Sequence, residues 1–189
     1  MRIRMKLISD TIFGNGMSVP GGEDISVLHD AQGFPYYRGS TFKGIFRETL
    51  IQYLDWIDYK DPESVNIVNE LLGTSDENRM DSDKLGFSDF CISESVRGIV
   101  LEEIGEDPAA VLDMFTHIRT FTSLNENGVA QKGSLRTARC VNKGTILESD
   151  IICGDKNSRW VKEVLPMIKW VGTMRNRGFG KVQIEIKEA

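Results

Sequence analysis

The sequence has few of the residues that build metal and disulfide frameworks. Its 189 residues include three cysteines, Cys91, Cys140 and Cys153, and two histidines, His29 and His117. The cysteines are widely spaced and none belongs to a CxxC pair, so neither a zinc site nor a disulfide framework is predicted. Unpaired thiols are typical of a reducing compartment, and the expected location is therefore the cytoplasm.

Long apolar runs are also missing. No stretch approaches the ~18 residues that a membrane-spanning helix requires, so no membrane partner is predicted. The first six residues alternate apolar and basic side chains and lack the apolar region of a secretory signal peptide. A hydrophobic content of 40% nevertheless predicts a packed core rather than a disordered chain.

The acidic side chains are concentrated in one part of the chain. Residues 55–107 carry 15 acidic and 4 basic side chains, a net charge of -11, whereas the rest of the chain has a net charge of +6. The overall charge of -5 therefore does not exclude nucleic acid, because phosphate contact needs only a local basic surface. We expect the acidic block 55–107 to face away from RNA or toward a protein partner.

Hydrophobic periodicity predicts an α+β fold. Alternating or apolar runs predict strands at residues 2–8, 85–92, 116–122, 134–141, 145–153 and 181–187, of which the third and fourth form a hairpin. Helical spacing predicts helices at residues 40–57, 62–72 and 158–171, the last kinked or broken at Pro166. A short helix is expected to begin at Asp107 and Pro108, where a capping residue precedes a proline.

Without its insertions, this order of elements is βαββαβ, the ferredoxin-like or RRM-like plan. We therefore predict a single domain, residues 1–189, with an inserted helical region at about 58–83. A second insertion, at about 94–140, carries the thumb-like hairpin. Residues 10–38 are expected to form a long loop with several glycines, and loops of this length are usually functional or disordered.

Two segments combine glycines with basic side chains. In the first, Ser40 can cap a helix whose face carries Lys43 and Arg47, one turn apart. Free N–H groups at a helix start bind anions, so this segment favours contact with RNA phosphates. The alternative is a capped helix with a solvated basic face.

The second segment, residues 172–180, is rich in glycine and contains Arg175 and Arg177. It could form another phosphate-binding loop, or it could be an ordinary helix-to-strand turn. Two such segments at opposite ends of the chain predict one RNA-binding surface. The nearby aromatic residues Phe34, Tyr36 and Tyr37 could stack on bases or pack in the core.

Four sets of residues resemble a known family. Residues 35–47, Pro-Tyr-Tyr-Arg-Gly-Ser-Thr-Phe-Lys-Gly-Ile-Phe-Arg, resemble the PYIPGSSLKGxxR motif of RAMP-superfamily CRISPR proteins, with Arg38 where that motif has proline. Residues 21–30 resemble the GG-x-D loop that precedes the motif in the multi-copy backbone subunit of type III effector complexes. Residues 134–145 resemble the segment after the thumb hairpin of that subunit, and residues 175–180 resemble the C-terminal glycine-rich loop of RAMP proteins.

The resemblance implies a guide-RNA-binding backbone subunit of a type III CRISPR effector complex. Its partners would be guide RNA, target single-stranded RNA, further copies of itself and other subunits of the complex. The residues that would bind RNA are the basic side chains and glycines of the matched segments together with the hairpin: Arg38, Ser40, Lys43, Arg47, Lys132, Arg136, Arg139, Arg175, Arg177, Gly178 and Gly180.

The resemblance also implies that Asp24 is catalytic and binds a divalent metal, Mg or Mn, with Glu23 and Asp30 as supporting carboxylates. The metal would polarise a phosphoryl oxygen while the RNA 2′-hydroxyl attacks the neighbouring phosphate, which releases the 5′-oxygen of the next nucleotide and leaves a 2′,3′-cyclic phosphate. Without the resemblance, Asp24 is an ordinary loop-turn aspartate. Two other functions stay open. One is a non-catalytic RNA-binding scaffold, and the other is a metal-independent guide-processing endoribonuclease that uses His29 for acid–base work.

Overall fold

The computed structural model describes residues 1–16, 18, 22–58, 63–73, 84–123, 125–152 and 158–187. These residues form strands and helices in the order β1 Arg2–Leu7, α1 Gly39–Trp56, α2 Glu63–Leu72, β2 Gly86–Phe87, α3 Glu94–Ile104, α4 Pro108–Phe115, β3 Thr116–Phe121, β4 Arg136–Val141, β5 Ile146–Ile152, α5 Ser158–Val164 and β6 Val182–Lys187. Short 3-10 turns lie at Leu165–Met167 and Arg175–Arg177.

Four strands form an antiparallel sheet in the order β2-β5-β1-β6. The segment that contains α1 connects β1 to β2 past β5, and the segment that contains α5 connects β5 to β6 past β1. Two such interleaved crossovers are consistent with the ferredoxin-like plan. Strands β3 and β4 form a separate two-stranded hairpin, so the predicted α+β class is confirmed.

Helix α1 contributes the largest apolar face to the core. Its buried apolar side chains recur one turn apart, as expected for a helix that packs with one stripe inward: Phe42, Phe46, Leu50 and Leu54. They belong to the same buried cluster as the inward side chains of β1, which alternate along that strand: Ile3, Met5 and Leu7. This packing holds the first turn of α1 in a defined place beside the sheet.

The start of α1 differs from the prediction. Arg38 occupies the N-cap position, and no side chain there accepts a hydrogen bond from the first turn, so the predicted Ser40 cap is wrong. Instead, the Gly39 N–H donates a 2.8 Å hydrogen bond to Asp89 Oδ1. A Cβ on Gly39 would collide with the carbonyl oxygen of Phe87, which shows that this glycine lets the helix start pack against β2.

Three other elements can be compared with their predicted bounds. Helix α3 was not predicted, because Val100 is its only fully buried side chain and its apolar stripe is therefore weak. The predicted strand 85–92 contracts to two residues, followed by isolated pairings at Phe90 and Cys91. Helix α5 ends at Val164 because Pro166 lacks the N–H that a longer helix would need, so of the kink or break predicted at Pro166 the structure shows the break.

The predicted loop 10–38 makes several backbone pairings. Thr11 pairs with Val141, and Ile25 pairs with Ala138, so this segment lies along β4 of the hairpin. The predicted linker 76–83, the predicted helix start at Pro62, and Cys153 lie outside the described residues. Within the described ranges, no helix is long and apolar enough to cross a bilayer.

Candidate nucleic-acid interface

The two glycine-containing segments meet in the fold. Thr41 and Gly44 of α1 line one cleft together with Gly172, Thr173 and Arg175 of the C-terminal segment. The cleft has a volume of about 300 Å³, and its other lining residues are Ile12, Phe13, Gly14, Leu28, Tyr37, Ile45 and Glu48. The sheet therefore brings the start of α1 and the glycine-rich segment, which are far apart in sequence, to one place.

The glycine-rich segment is a tight reversal that exposes two arginines. Met174 and Gly178 adopt left-handed backbone conformations, with φ of 55° and 86°, on either side of the 3-10 turn Arg175–Arg177. A non-glycine residue in this region stores backbone strain, so Met174 is held there by its surroundings. Both arginine side chains are exposed to solvent, where they can contact an anionic ligand.

The two glycines predicted to bind RNA have structural roles of their own. Gly178 supplies the left-handed conformation that ends the turn. A Cβ on Gly180 would collide with the carbonyl oxygen of Val171, whose N–H donates a 2.8 Å hydrogen bond to the Gly180 carbonyl. Their contact with RNA stays a prediction.

Lys43 and Arg47 lie on one face of α1, as predicted, and both are half-buried. Burial lowers the pKa of Lys43, and the positive charges of Arg47 and Lys84 lower it further. Arg47 Nη2 donates a 2.6 Å hydrogen bond to the Gly73 carbonyl at the end of α2. Arg47 therefore joins α1 to the end of α2. Lys43 lies close to other positive charges, and a bound phosphate would offset their repulsion.

The predicted basic residues of the hairpin are in different environments. Lys132 and Arg136 are exposed, and Arg136 Nη1 donates a 2.8 Å hydrogen bond to the Leu135 carbonyl. Arg139, in contrast, has a side chain only 14% exposed and forms ion pairs with Glu23 and Asp113. We assign Arg139 to holding the long loop against the hairpin, and its contact with RNA stays a prediction.

The pair between Glu23 and Arg139 perturbs both groups. Burial acts to raise the pKa of Glu23, but its hydrogen bonds, foremost the one with Arg139 at 2.8 Å, and the positive charge of Arg139 together outweigh burial and lower that pKa. Burial acts to lower the pKa of Arg139, but the hydrogen bonds to Glu23 and Asp113 and the charges of these carboxylates together raise it. The carboxylate of Glu23 is therefore used inside the protein and is a poor candidate for metal binding.

Asp24 is exposed and lies beside β4. Its Oδ2 accepts a 2.7 Å hydrogen bond from the Thr137 N–H, and the Thr137 hydroxyl lies 3.3 Å from the same oxygen. The Asp24 N–H donates to that hydroxyl at 3.2 Å. These contacts hold the carboxylate in place at the surface of the hairpin. Such a position suits either a structural aspartate or an aspartate that binds a metal ion.

Asp30 and His29 have local roles. Asp30 Oδ1 accepts hydrogen bonds from the N–H groups of Gln32 and Phe34, and its Oδ2 accepts one from Arg97 at 2.7 Å. The exposed ring of His29 has its Nδ1 3.0 Å from the Asp30 carbonyl oxygen. Asp30 thus stabilises its own turn and pairs with Arg97, and its support of Asp24 stays a prediction.

Phe34 and Tyr37 are core residues, whereas Tyr36 is half-buried. The ring of Tyr37 stacks on Phe13 with a centroid distance of 4.6 Å. Burial raises the pKa of Tyr37 to about 12, so its hydroxyl stays protonated and remains a hydrogen-bond donor at neutral pH. The alternative of base stacking on exposed rings of Phe34 and Tyr37 therefore does not apply.

One basic residue that the sequence did not single out lies at this interface. Arg119 of β3 is exposed, pairs with Asp10 at 3.1 Å, and lies 5.4 Å from the ring centre of Phe179 in the glycine-rich segment. His117 Nε2 lies 3.5 Å from the same Asp10 carboxylate. Arg119 thereby connects the hairpin to the glycine-rich segment. The sequence carried one signal for it, the outward position of an arginine in a predicted hairpin strand.

The acidic side chains do not form a metal site by themselves. Within the part of the chain that the structure describes, no group of three or more His, Cys, Asp or Glu side chains could hold a metal ion. Magnesium is commonly held by one or two carboxylates together with substrate phosphates. Asp24 therefore fits as one ligand of an ion shared with RNA, and does not fit a site built from protein alone.

Comparison with known proteins identifies the family. The model of the RAMP superfamily matches residues 4–183, so the chain belongs to this superfamily, as its motifs predicted. No curated protein matches the sequence.

Solved structures show the same fold. One similar chain comes from the cryo-EM structure of type III-B Cmr-beta bound to cognate target RNA, with a TM-score of 0.71, 12% identity, and coverage of 97% of this chain and 95% of that one. Another comes from type III-B Cmr-beta in the apo state, with a TM-score of 0.69, 14% identity and the same coverage, 97% and 95%. At these identities the likeness shows the fold alone.

Proposed function

We propose that this RAMP protein is an RNA-binding subunit of a type III CRISPR effector complex and holds a guide RNA by its phosphates. The observation that carries the proposal is the meeting of the first turn of α1 with the exposed turn of Arg175 and Arg177 around one cleft. Phosphate contacts position a strand without reading its sequence, which suits a subunit that must accept any guide.

The surrounding charges support the same strand path. Arg38 precedes α1 and is exposed, and Arg119 extends the basic surface from the glycine-rich segment to the hairpin. Exposed Lys132 and Arg136 lie beyond it toward the hairpin tip. A strand that follows these residues would meet cations along its length, as single-stranded nucleic acids do in basic grooves.

The assembly is proposed from the family and from the similar structures. The chain spans nearly the whole of a chain in type III-B Cmr-beta that was solved with target RNA. We assign it the role of the multi-copy backbone subunit, which places further copies of itself, other subunits and target RNA among its partners. The acidic block 55–107 gives a physical reason for contact between copies, because unlike faces favour head-to-tail association.

Cleavage of the target by Asp24 is a second proposal, favoured by the exposed and positioned carboxylate. A divalent ion shared between Asp24 and RNA would polarise a phosphoryl oxygen when bound. Asp24 itself would orient that ion beside the strand. If Asp24 serves only to hold its loop against Thr137, the subunit is a non-catalytic scaffold.

RNA binding is tested by titrating labelled single-stranded RNAs of different sequence with the purified protein at several salt concentrations. We expect similar affinities for unrelated sequences and a steep fall of affinity with salt, because released counterions drive phosphate binding. An affinity that does not change with salt, or that depends on one sequence, would overturn the proposal.

A further inference from the structure

The segment that carries Asp24 lies against the hairpin as a short third strand. Ile25 pairs in parallel with Ala138 of β4. The Ile25 N–H donates to the Thr137 carbonyl at 3.1 Å, and the Ile25 carbonyl accepts from the Arg139 N–H at 2.9 Å. Within the described residues, Asp24 forms its hydrogen bonds with Thr137. The Asp24 carboxylate is therefore held by the hairpin and not by the main sheet.

The two neighbours of Asp24 anchor this strand on its inner side. Successive side chains of an extended segment point to opposite faces, and here Glu23 is buried, Asp24 is exposed and Ile25 is half-buried. Ile25 packs against a small apolar cluster that includes Ala138, and Glu23 forms an ion pair with Arg139. Because both neighbours are held inward, Asp24 projects outward.

The ion pair is the more specific of the two anchors. Arg139 Nε donates to Glu23 Oε1 at 2.8 Å. Arg139 Nη1 donates to the Asp113 carboxylate near the end of α4 and to the Thr116 hydroxyl at the start of β3. The side chains of Arg139 and Glu23 are only 14% and 8% exposed. A buried carboxylate without a partner is strongly destabilising, so Glu23 faces inward only where this guanidinium receives it.

This requirement sets the register of the strand that carries Asp24. A shift of one residue along β4 would turn its side chains over, which would bring Asp24 inward and Glu23 out to solvent. The apolar contacts of Ile25 tolerate a small shift, whereas a hydrogen-bonded ion pair has a defined distance and direction. Arg139 therefore determines where on the hairpin the Asp24 carboxylate lies.

We infer that Arg139 is a positioning residue for target cleavage, which holds Asp24 outward at one place on the hairpin through Glu23 and makes no contact with RNA. The inference rests on the proposed cleavage by Asp24. It goes beyond that proposal because it gives a different role to an arginine that the sequence places among the RNA contacts. Loss of Arg139 should therefore impair cutting and spare RNA binding.

The first experiment compares target cleavage in magnesium by complexes assembled from the wild-type protein and from Arg139→Met. Misplacement of a reacting group by about 1 Å can lower a rate on the order of a hundredfold, and we expect a loss of this size. Arg139→Lys, which keeps a positive charge beside Glu23, should restore part of the rate. The affinity of Arg139→Met for single-stranded RNA, and the slope of log K against log salt, should equal those of the wild type.

Hydrogen exchange gives a readout that does not depend on cutting. In Arg139→Met, the N–H groups of Ile25 and Thr137, which hold the strand of Asp24 on β4, should exchange faster than in the wild type. The Cys91 N–H, which donates to a carbonyl of β5 at 2.9 Å, should keep its protection. This difference separates local loosening of the strand from unfolding of the whole protein.

A second variant covers the risk that Arg139→Met does not fold, since it leaves Glu23 buried and unpaired. Glu23→Met with Arg139→Met removes both charges, and apolar replacement of a buried ion pair is often neutral for stability. Because nothing then specifies the register, the double variant should show the same loss of cleavage.

Arg97→Met is the matched control. The side chain of Arg97 is 15% exposed and pairs at 2.7 Å with Asp30, which belongs to the same long loop as Asp24. This variant therefore removes an ion pair of similar burial without touching Glu23 or the hairpin. Its complex should cut at close to the wild-type rate.

The outcomes separate the positioning role from the proposed cleavage. Wild-type cutting by Arg139→Met or by the double variant, unchanged exchange at Ile25 and Thr137, or an equal loss of cutting in Arg97→Met overturns the positioning role and leaves cleavage by Asp24 standing. A salt slope shallower by about 0.7 in Arg139→Met also overturns it, because Arg139 would then contact a phosphate. A wild-type complex that does not cut, or an Asp24→Asn complex that cuts at the wild-type rate, refutes both together.

Discussion

Replacing Arg175 and Arg177 together with alanine tests the phosphate contacts most directly. Both side chains are exposed, and the turn that carries them is held by backbone groups, including a 2.9 Å hydrogen bond from the Arg177 N–H to the Met174 carbonyl. The double variant should therefore keep the turn and lose only two cations. Its unfolding midpoint is expected to stay close to that of the wild type.

The magnitude follows from counterion release. Each phosphate contact on a single strand contributes about -0.7 to the slope of log K against log salt, so two lost contacts should make the slope shallower by about 1.4. Between ~50 and ~200 mM salt, the fold-loss of affinity should therefore be about seven times smaller for the double variant than for the wild type. Fluorescence anisotropy with one labelled RNA over a salt series measures the slope.

A charge-matched control separates local contact from overall charge. Lys162→Ala with Lys169→Ala removes two exposed cations from α5 and the segment after it, away from the cleft lining. This control should leave the slope within error of the wild type. Equal slopes for the wild type and the arginine variant, or an equal change in the lysine control, would refute the assignment of Arg175 and Arg177 to phosphate contact.

Three further predictions concern catalysis, stability and assembly. Asp24→Asn, which keeps an oxygen for the Thr137 N–H, should abolish magnesium-dependent target cleavage by the assembled complex and spare guide binding; wild-type cutting that persists in EDTA would contradict this role. The folded-state pKa of Glu23 is lowered, so its stabilising effect is full above the ordinary carboxyl pKa and is lost as pH falls through the lowered value. Glu23→Gln should therefore lower the free energy of unfolding at neutral pH by about 1–3 kcal/mol and flatten its acid dependence, measured by urea unfolding over a pH series; an unchanged acid profile would count against the ion pair with Arg139. Light scattering should show multimers when the protein is mixed with a long RNA, and a monomer in its presence would exclude head-to-tail assembly.

The elements with strong local patterns were predictable from the sequence. Helix α1 repeats large apolar side chains at helical spacing, and β1 and β6 alternate inward and outward residues, so burial of one face dictates each structure. The proline in the predicted helix 158–171 broke it for a local covalent reason. Helix α3 has no comparable stripe. Its single buried valine gives no apolar periodicity from which a helix could be predicted.

The candidate interface was predictable as a set of residues, because basic side chains and glycines clustered in two short segments whose motifs resemble one superfamily. The sequence did not reveal which of those side chains are available. Arg139 and Arg136 look alike as basic residues of one predicted strand, yet one is paired with two carboxylates and the other is exposed. Burial and ion pairing depend on distant parts of the chain, which the pattern of one strand cannot specify.

By itself, the sequence determined the class of fold, the main helix, the strand alternation and the family, since these follow from spacing and motif over neighbouring residues. Only the tertiary structure decided that Ser40 does not cap α1, that the Gly39 N–H donates to Asp89, and that Arg119 lies against the glycine-rich segment. It also decided that the ring of Tyr37 stacks on Phe13 inside the core. Each of these contacts joins residues that are far apart along the chain, and their distances are set by the strand order and register of the folded sheet and hairpin.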